Sequence, residues 1–201
     1  LSLDLEKWTP INKVAAKKIL NLEINKKAIL VGGETSHHFQ RKGMDIIETI
    51  LENRLVNLDN IQILVIGRNK LRLNNLPNIK YLGFQDQDNE LEKLRLIYSA
   101  SDLLLMASRL ESFGQMAIEA GSCETPTVCF ESTGTADIIK HKHSGYVAKY
   151  LDIKDFSNGI EWCLNNERQE EMNKNAREFI KENFDSKKIA KKYITLYETI
   201  K

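Results

Sequence analysis

Four short apolar runs limit what this chain can fold into. Residues 28–31 read Ala-Ile-Leu-Val, 61–66 read Ile-Gln-Ile-Leu-Val-Ile, 103–106 read Leu-Leu-Leu-Met, and 127–130 read Thr-Val-Cys-Phe. A strand apolar at successive positions has no wet face, so it must be covered on both sides. Between the runs lie stripes of helical period. One carries Ile46, Ile47, Ile50, Leu51 and Leu55, and another Leu91, Leu94, Ile97 and Tyr98. Weaker strands are read at 79–82 and 145–148, and a short helical piece at 136–139. Asn12 is expected to cap a first helix reaching Leu20. From Asp152 onward the pattern is helical, with breaks near Asn165-Asn166 and from Asn183 to Ser186. Buried strands alternating with amphipathic helices indicate an α/β fold, a Rossmann-like parallel sheet of about six strands with helices on both faces.

The chain has 201 residues and a net charge of +1, with 42% hydrophobic and 28% charged residues. It can bury a full core, and with no charge excess no nucleic-acid partner is expected. No apolar run approaches the ~20 residues that span a bilayer. Cys123, Cys129 and Cys163 form no CxxC and leave an odd count, as in a cytoplasmic protein with reduced thiols. The chain does not begin with Met. Residues 1–12 read as an inter-domain linker, 13–184 as the domain and 185–201 as a terminal helix, so a longer protein is expected. On that helix Lys187, Lys188, Lys191 and Lys192 share one face, and Ile189, Tyr193, Leu196, Tyr197 and Ile200 another. Docking on its own or a neighbouring domain is expected, although a membrane-surface helix has the same composition.

Sheets of this kind hold ligands at the carboxyl ends of their strands, where strand order reverses. The informative residues all follow strands: Gly32-Gly33 with the polar segment 34–43, Gly67-Arg68, Gly83, and residues 108–114. In the order 3-2-1-4-5-6, strands one and four are neighbours, which sets Arg41-Lys42-Gly43 beside residues 111–119. That stretch reads Glu111-Ser112-Phe113-Gly114-Gln115-Met116-Ala117-Ile118-Glu119. Read at helical rise, it separates its glutamates by about 12 Å, which suits an elongated polar ligand. Phe113, Gly114 and Gln115 would offer backbone N–H groups to an anion, with Gly114 permitting close approach. Lys42 and Arg41 would bring positive charge to a diphosphate. Glu119 would accept from ribose hydroxyls and Glu111 from those of a sugar. Lys42 and Glu119 are expected to be partly exposed, with little effect on stability.

Each feature has a plainer explanation. The glutamates could be solvated surface groups, and Arg41-Lys42 a basic pair before a helix. Asp86-Gln87-Asp88 is read as a helix cap at Asp88 rather than a metal-binding DxD. His141-Lys142-His143 lacks acidic or cysteine partners and is read as a loop pair rather than a metal site; neither a metal nor a cofactor is expected. His37 and His38 stand in the first ligand loop. There is no GxGxxG, no phosphate-binding GxxxxGK[ST] and no GxSxG.

Taken together, these residues resemble a known family. Glu111-Ser112-Phe113-Gly114 through Glu119-Ala120 resembles the E-x7-E motif of retaining GT-B glycosyltransferases of family 4, or group 1. Leu3-Asp4 to Pro10 resembles the linker into the second domain, and Arg41-Lys42-Gly43 the basic phosphate-binding motif. Thr125-Pro126-Thr127-Val128 resembles a T-P-V-V strand start. Ala136-Asp137-Ile138-Ile139 and Ser144-Gly145-Tyr146-Val147 resemble the closing segment. The resemblance implies the C-terminal, donor-binding half of a hexosyltransferase that retains anomeric configuration and needs no metal. Its donor would be a UDP-, GDP- or ADP-linked sugar, contacted by Gly33, Arg41, Lys42, Gly67, Gly83, Glu111, Ser112, Phe113, Gly114, Gln115 and Glu119. Arg41, Lys42 and Glu111 would be catalytic. An N-terminal domain would hold a glycan or lipid acceptor, for polysaccharide, lipopolysaccharide or other glycoconjugate synthesis. The full-length protein would work in the cytoplasm, where peripheral association with the inner face of the membrane is one option. Departures are Glu34 after Gly33 where the family often has Arg, Cys123-Glu124 for the usual C-G, and Ala107 for the usual Pro. A sugar-nucleotide epimerase or hydrolase on the same fold, or a non-catalytic partner subunit, are the alternatives.

Overall fold

A computed structural model of the protein describes residues 2–33, 39–68, 70–73, 78–85 and 90–199. Its strands are β1 (Lys27–Gly33), β2 (Ile61–Gly67), β3 (Ile79–Gly83), β4 (Leu103–Met106), β5 (Thr127–Phe130) and β6 (Gly145–Ala148). All pair in parallel, in the order β3-β2-β1-β4-β5-β6. The order reverses between β1 and β4, as the sequence reading expects. The helices are α1 (Lys13–Ile19), α2 (Met44–Glu52), α3 (Leu91–Ala100), α4 (Gln115–Ser122), α5 (Ile153–Leu164), α6 (Gln169–Asn183) and α7 (Ser186–Thr199).

Strand alternation divides the core. Ile29 and Val31 face a layer built with α2 and α5, through Ile46, Ile50, Phe156 and Ile160. Ala28 and Leu30 face the opposite layer, built with α1, α3 and α4 through Ala16, Ile97 and Ile118. Caps set the helix starts. Asn12 accepts the Ala15 N–H at 3.1 Å, and Asp152 accepts that of Asp155 at 2.9 Å. Helix α2 ends earlier than its stripe suggests, with Asn53 as C-cap, and Leu55 is exposed. The piece expected at 136–139 is a single 3-10 turn, Ala136–Ile138.

Asp102, just before β4, is the hub of a buried ion cluster. Its carboxylate lies 2.9 Å from Lys13 Nζ and 3.0 Å from Lys17 Nζ, and accepts the Ala28 N–H at 2.8 Å. Burial alone would raise its pKa, but the two ammonium groups outweigh this and hold it below the usual carboxylate value. The cluster fixes α1 to the amino end of the sheet, opposite the end where the site is built.

The incoming segment is docked on the domain. Trp8 is buried, with its ring centroid 6.0 Å from that of Tyr98. Arg95 Nε donates to the Thr9 carbonyl at 3.0 Å, and the Ile11 N–H to Ser99 Oγ at 3.0 Å. Leu3 bridges to Asp185, beside the start of α7. Helix α7 buries none of its described residues. Among the described residues, no helix is long and apolar enough to cross a membrane.

Candidate active site

Two loops meet above the reversal point. One follows β1 and ends at Gly43; the other follows β4 and runs from Ala107 to Gly114. Gly43 adopts φ +68°, and a Cβ there would sit 1.8 Å from the Ala107 carbonyl oxygen. Glycine is therefore required for main chain to lie on main chain. Arg109 fastens the junction. Its N–H donates to the Arg41 carbonyl at 2.8 Å, and its guanidinium to the Gln40 carbonyl at 2.5 Å. The same guanidinium grips both Asp45 carboxylate oxygens at 2.7 Å. That hydrogen-bonded pairing holds the Asp45 carboxyl below its ordinary pKa.

The junction delivers Lys42 to Glu111, with Nζ 2.6 Å from Oε2 and the side chains 21% and 12% exposed. Both line a cleft of about 400 Å³ with Gly32, Ile66, Gly67, Phe84, Gln85, Leu94, Tyr98, Met106, Gln115, Met116 and Glu119. The cleft thus lies at the carboxyl ends of β1, β2 and β4, where the topology puts it. Arg68 stacks over the Phe84 ring at 4.7 Å.

Of the expected site residues, Lys42, Gly67, Glu111, Gln115 and Glu119 come together on this cleft. Arg41, Gly83, Ser112, Phe113 and Gly114 are not in its lining. Arg41 buries its Nε without a hydrogen-bond partner. Phe113 packs edge-on against Phe184 at 5.8 Å. Gly33 ends β1, next to residues 34–38, so Glu34, His37 and His38 lie outside the described residues. So do Asp86 to Asp88; helix α3 begins after Glu90.

Two expectations are corrected, and a third residue gains a further reason. Helix α4 begins only at Gln115, so Glu111 belongs to the loop and helical rise does not separate the glutamates. Glycine at 114 has a structural reason of its own. At φ +94° its Cβ would meet Thr135 Oγ1 at 2.6 Å, because the turn around Gly134 packs on this loop. Finally, Glu119 is buried, at 5% exposure. It sits in a stretch of α4, residues 117–122, that is buried throughout. Tyr98 donates to its Oε2 at 2.7 Å. Burial pushes its pKa up to about 7, against the pull of hydrogen bonds from Tyr98 and Gln115.

Sequence reading missed Arg109, Tyr98, Phe84 and Met116 as site-building residues. Tyr98 and Met116 look like core positions, and Arg109 carries no periodic signal. His141 accepts the Val147 N–H through Nδ1 at 3.1 Å, and its ring lies 4.5 Å from that of Tyr146. Among the described residues there is no group of three or more His, Cys, Asp or Glu able to hold a metal.

The sequence profile of the family described as "Glycosyl transferases group 1" matches residues 16–179. The chain belongs to this family. N-acetyl-alpha-D-glucosaminyl L-malate synthase from Bacillus anthracis is 28% identical over 78% of the chain and 42% of its own length. A capsular polysaccharide biosynthesis glycosyltransferase from Staphylococcus aureus is 25% identical over 70% of the chain and 38% of its length. The chain thus spans less than half the length of these curated relatives. Among solved structures, sucrose-phosphate synthase from Thermosynechococcus elongatus superposes with a TM-score of 0.81 at 23% identity, over 99% of this chain and 51% of that one. Anabaena HepE, solved with UDP-glucose, gives 0.78 at 18% identity, over 98% and 56%. These likenesses establish the GT-B type of Rossmann-like fold.

Proposed function

We propose that the cleft binds a nucleoside-diphosphate sugar, and that the chain is the donor-binding part of a retaining hexosyltransferase. The observation that carries this reading is the convergence of Lys42, Glu111 and Glu119 on one cleft at the reversal point. A diphosphate entering beside Lys42 replaces Glu111 as the partner of the ammonium. Glu111 is then released to accept from sugar hydroxyls. As the glycosidic bond to the diphosphate breaks, negative charge grows on the leaving oxygen, and the positioned Lys42 stabilises it. The first amides of α4 add a dipole of the same sign. Side chains and helix supply this charge, so the reading includes no metal. Glu119 receives the ribose, and Phe84 with Arg68 offers a flat surface to the base.

The acceptor is assigned to a preceding half, in line with the greater length of the relatives. Leu3 N–H donates to the Phe184 carbonyl at 2.8 Å and Ser186 N–H to the Leu3 carbonyl at 3.0 Å. A half joined through Leu3 would therefore lie beside α7, whose Tyr193, Ile194, Leu196 and Tyr197 are exposed. That half is the occupant we assign to them. Synthesis of a surface polysaccharide or other glycoconjugate is the role favoured by likeness to the Staphylococcus aureus relative.

Calorimetric titration with UDP, GDP and ADP, with and without Mg²⁺, tests the donor reading. The expected result is saturable binding of one of them without metal. Lys42→Ala should weaken it roughly tenfold or more, the worth of a hydrogen bond to a charged group. Binding of none, or binding indifferent to Lys42→Ala, overturns it.

A further inference from the structure

We propose that Tyr98 is a positioning residue for the ribose of the donor, its hydroxyl holding the Glu119 carboxylate at the wall of the cleft. This rests on the donor reading above and adds to it a residue on a different helix. Tyr98 is 1% exposed, yet its side of α3 lines the cleft. A buried phenol needs an acceptor and a buried carboxylate needs donors. The 2.7 Å bond from Tyr98 Oη to Glu119 Oε2 satisfies both. The tyrosine has little freedom to offer that bond elsewhere. Trp8 packs on its ring, and Thr125 Oγ1 donates to its carbonyl at 2.6 Å. Gln115, one turn earlier in α4, supplies a second hydrogen bond to Glu119. The carboxylate is therefore held between two residues of the cleft wall, which is what selective recognition of a hydroxyl-bearing sugar requires.

The bond also sets the charge state of Glu119. A hydrogen bond donated to a carboxylate favours its ionised form, and burial opposes that. Ribose hydroxyls donate best to the ionised form. Of the other titratable groups, Cys123, the C-cap of α4, acts on Tyr98, and Lys42 and Glu111 line the same cleft, paired with each other. Helix α6, on the other side of α4, directs Arg177 to the Ser122 carbonyl. With the tyrosine hydroxyl removed, Glu119 holds its proton to higher pH. Ribose binding should then decline at a higher pH on acidification than in the wild type.

Tyr98→Phe removes the hydroxyl and keeps the ring. Wild type, Tyr98→Phe, Glu119→Gln and the double variant are titrated with UDP (or whichever diphosphate binds), its 2′,3′-dideoxy analogue and inorganic diphosphate, from pH 5.5 to 8.5. Tyr98→Phe should weaken the ribonucleotide about tenfold at neutral pH. It should leave the dideoxy analogue and inorganic diphosphate within about twofold, and move the acid limb of ribonucleotide affinity upward. On the Glu119→Gln background it should add nothing. Should Tyr98→Phe not fold, 3-fluorotyrosine placed at position 98 keeps the bond with a more acidic donor and should move the acid limb downward. An unmoved limb, or equal losses for all three ligands, overturns the inference and leaves the donor reading standing. A wild-type chain that binds no nucleoside diphosphate overturns both.

Discussion

Gly43→Ala isolates the contact on which the site depends. The alanine Cβ would lie 1.8 Å from the Ala107 carbonyl oxygen, 2.5 Å from its carbon and 2.9 Å from its Cβ. Opening the first contact to 3.0 Å needs a movement of 3.0 − 1.8, about 1.2 Å, of one loop against the other. The obstacle is main chain at the end of a buried strand, so it cannot rotate away. Holding alanine at φ +68° costs about 1–2 kcal/mol, and overpacking another ~1–3 kcal/mol. The expected loss of stability is therefore ~2–5 kcal/mol, read as a shift in the urea midpoint at constant slope. Gly83→Ala is the reference. That glycine also has positive φ, at +75°, but a Cβ there meets nothing within 4 Å. It should lose only the conformational part, about 1–2 kcal/mol. Because the displaced loop carries Lys42, Gly43→Ala should also weaken nucleotide binding at least tenfold, as misplacements of ~1 Å do in active sites. A Gly43→Ala variant no less stable than Gly83→Ala, with wild-type nucleotide affinity, would refute the reasoning.

Two further outcomes follow, one from a buried carboxyl and one from backbone strain. Glu119 has a folded-state pKa of about 7 against an ordinary 4.5, so the fold prefers its protonated form. Its contribution is fully present below pH 4.5 and is lost as pH rises through 7, a fall of about 3 kcal/mol. Asp45 and Asp102, held below their ordinary values, act oppositely and lose their contribution on acidification. The wild-type profile minus that of Glu119→Gln should isolate the Glu119 part, and identical slopes would disprove it. Glu124 occupies the left-handed region at φ +62°. Glu124→Gly should raise stability by roughly 0.5–1 kcal/mol, relief of strain less the added freedom of the unfolded chain. A lower melting temperature would count against this.

How much of this was legible in the sequence depends on what kind of contact each residue makes. Ile29-Leu30-Val31 and Leu103-Leu104-Leu105 announce strands buried on both faces, and the strand order observed is the common one for a sheet of this class. The glycines at 43 and 114 are legible as glycines, but not their reasons. Their obstacles, Ala107 just after β4 and Thr135 in the turn after β5, are remote in sequence and brought near only by the folded sheet. Asp102 reads as the start of a strand because nothing local announces its partners Lys13 and Lys17 on α1. Tyr98 falls on the apolar stripe of α3, and periodicity places its ring without saying where its hydroxyl goes. The burial of Glu119 did have a signal. Ala117-Ile118-Glu119-Ala120-Gly121-Ser122 is small and apolar nearly all round, as a helix enclosed on several sides is. Gly121 shows how close the packing is, since a Cβ there would sit 2.8 Å from Ile180 Cγ1 on α6.

The most direct measurement is a crystal structure of the chain with the nucleotide sugar selected by titration. The expected density places the diphosphate at Lys42 with the Glu111 contact opened, the sugar at Glu111, and the ribose hydroxyls at Glu119 with Tyr98 still bonded to it. Nucleotide bound elsewhere, or in this cleft with the Lys42–Glu111 pair intact, would contradict the account.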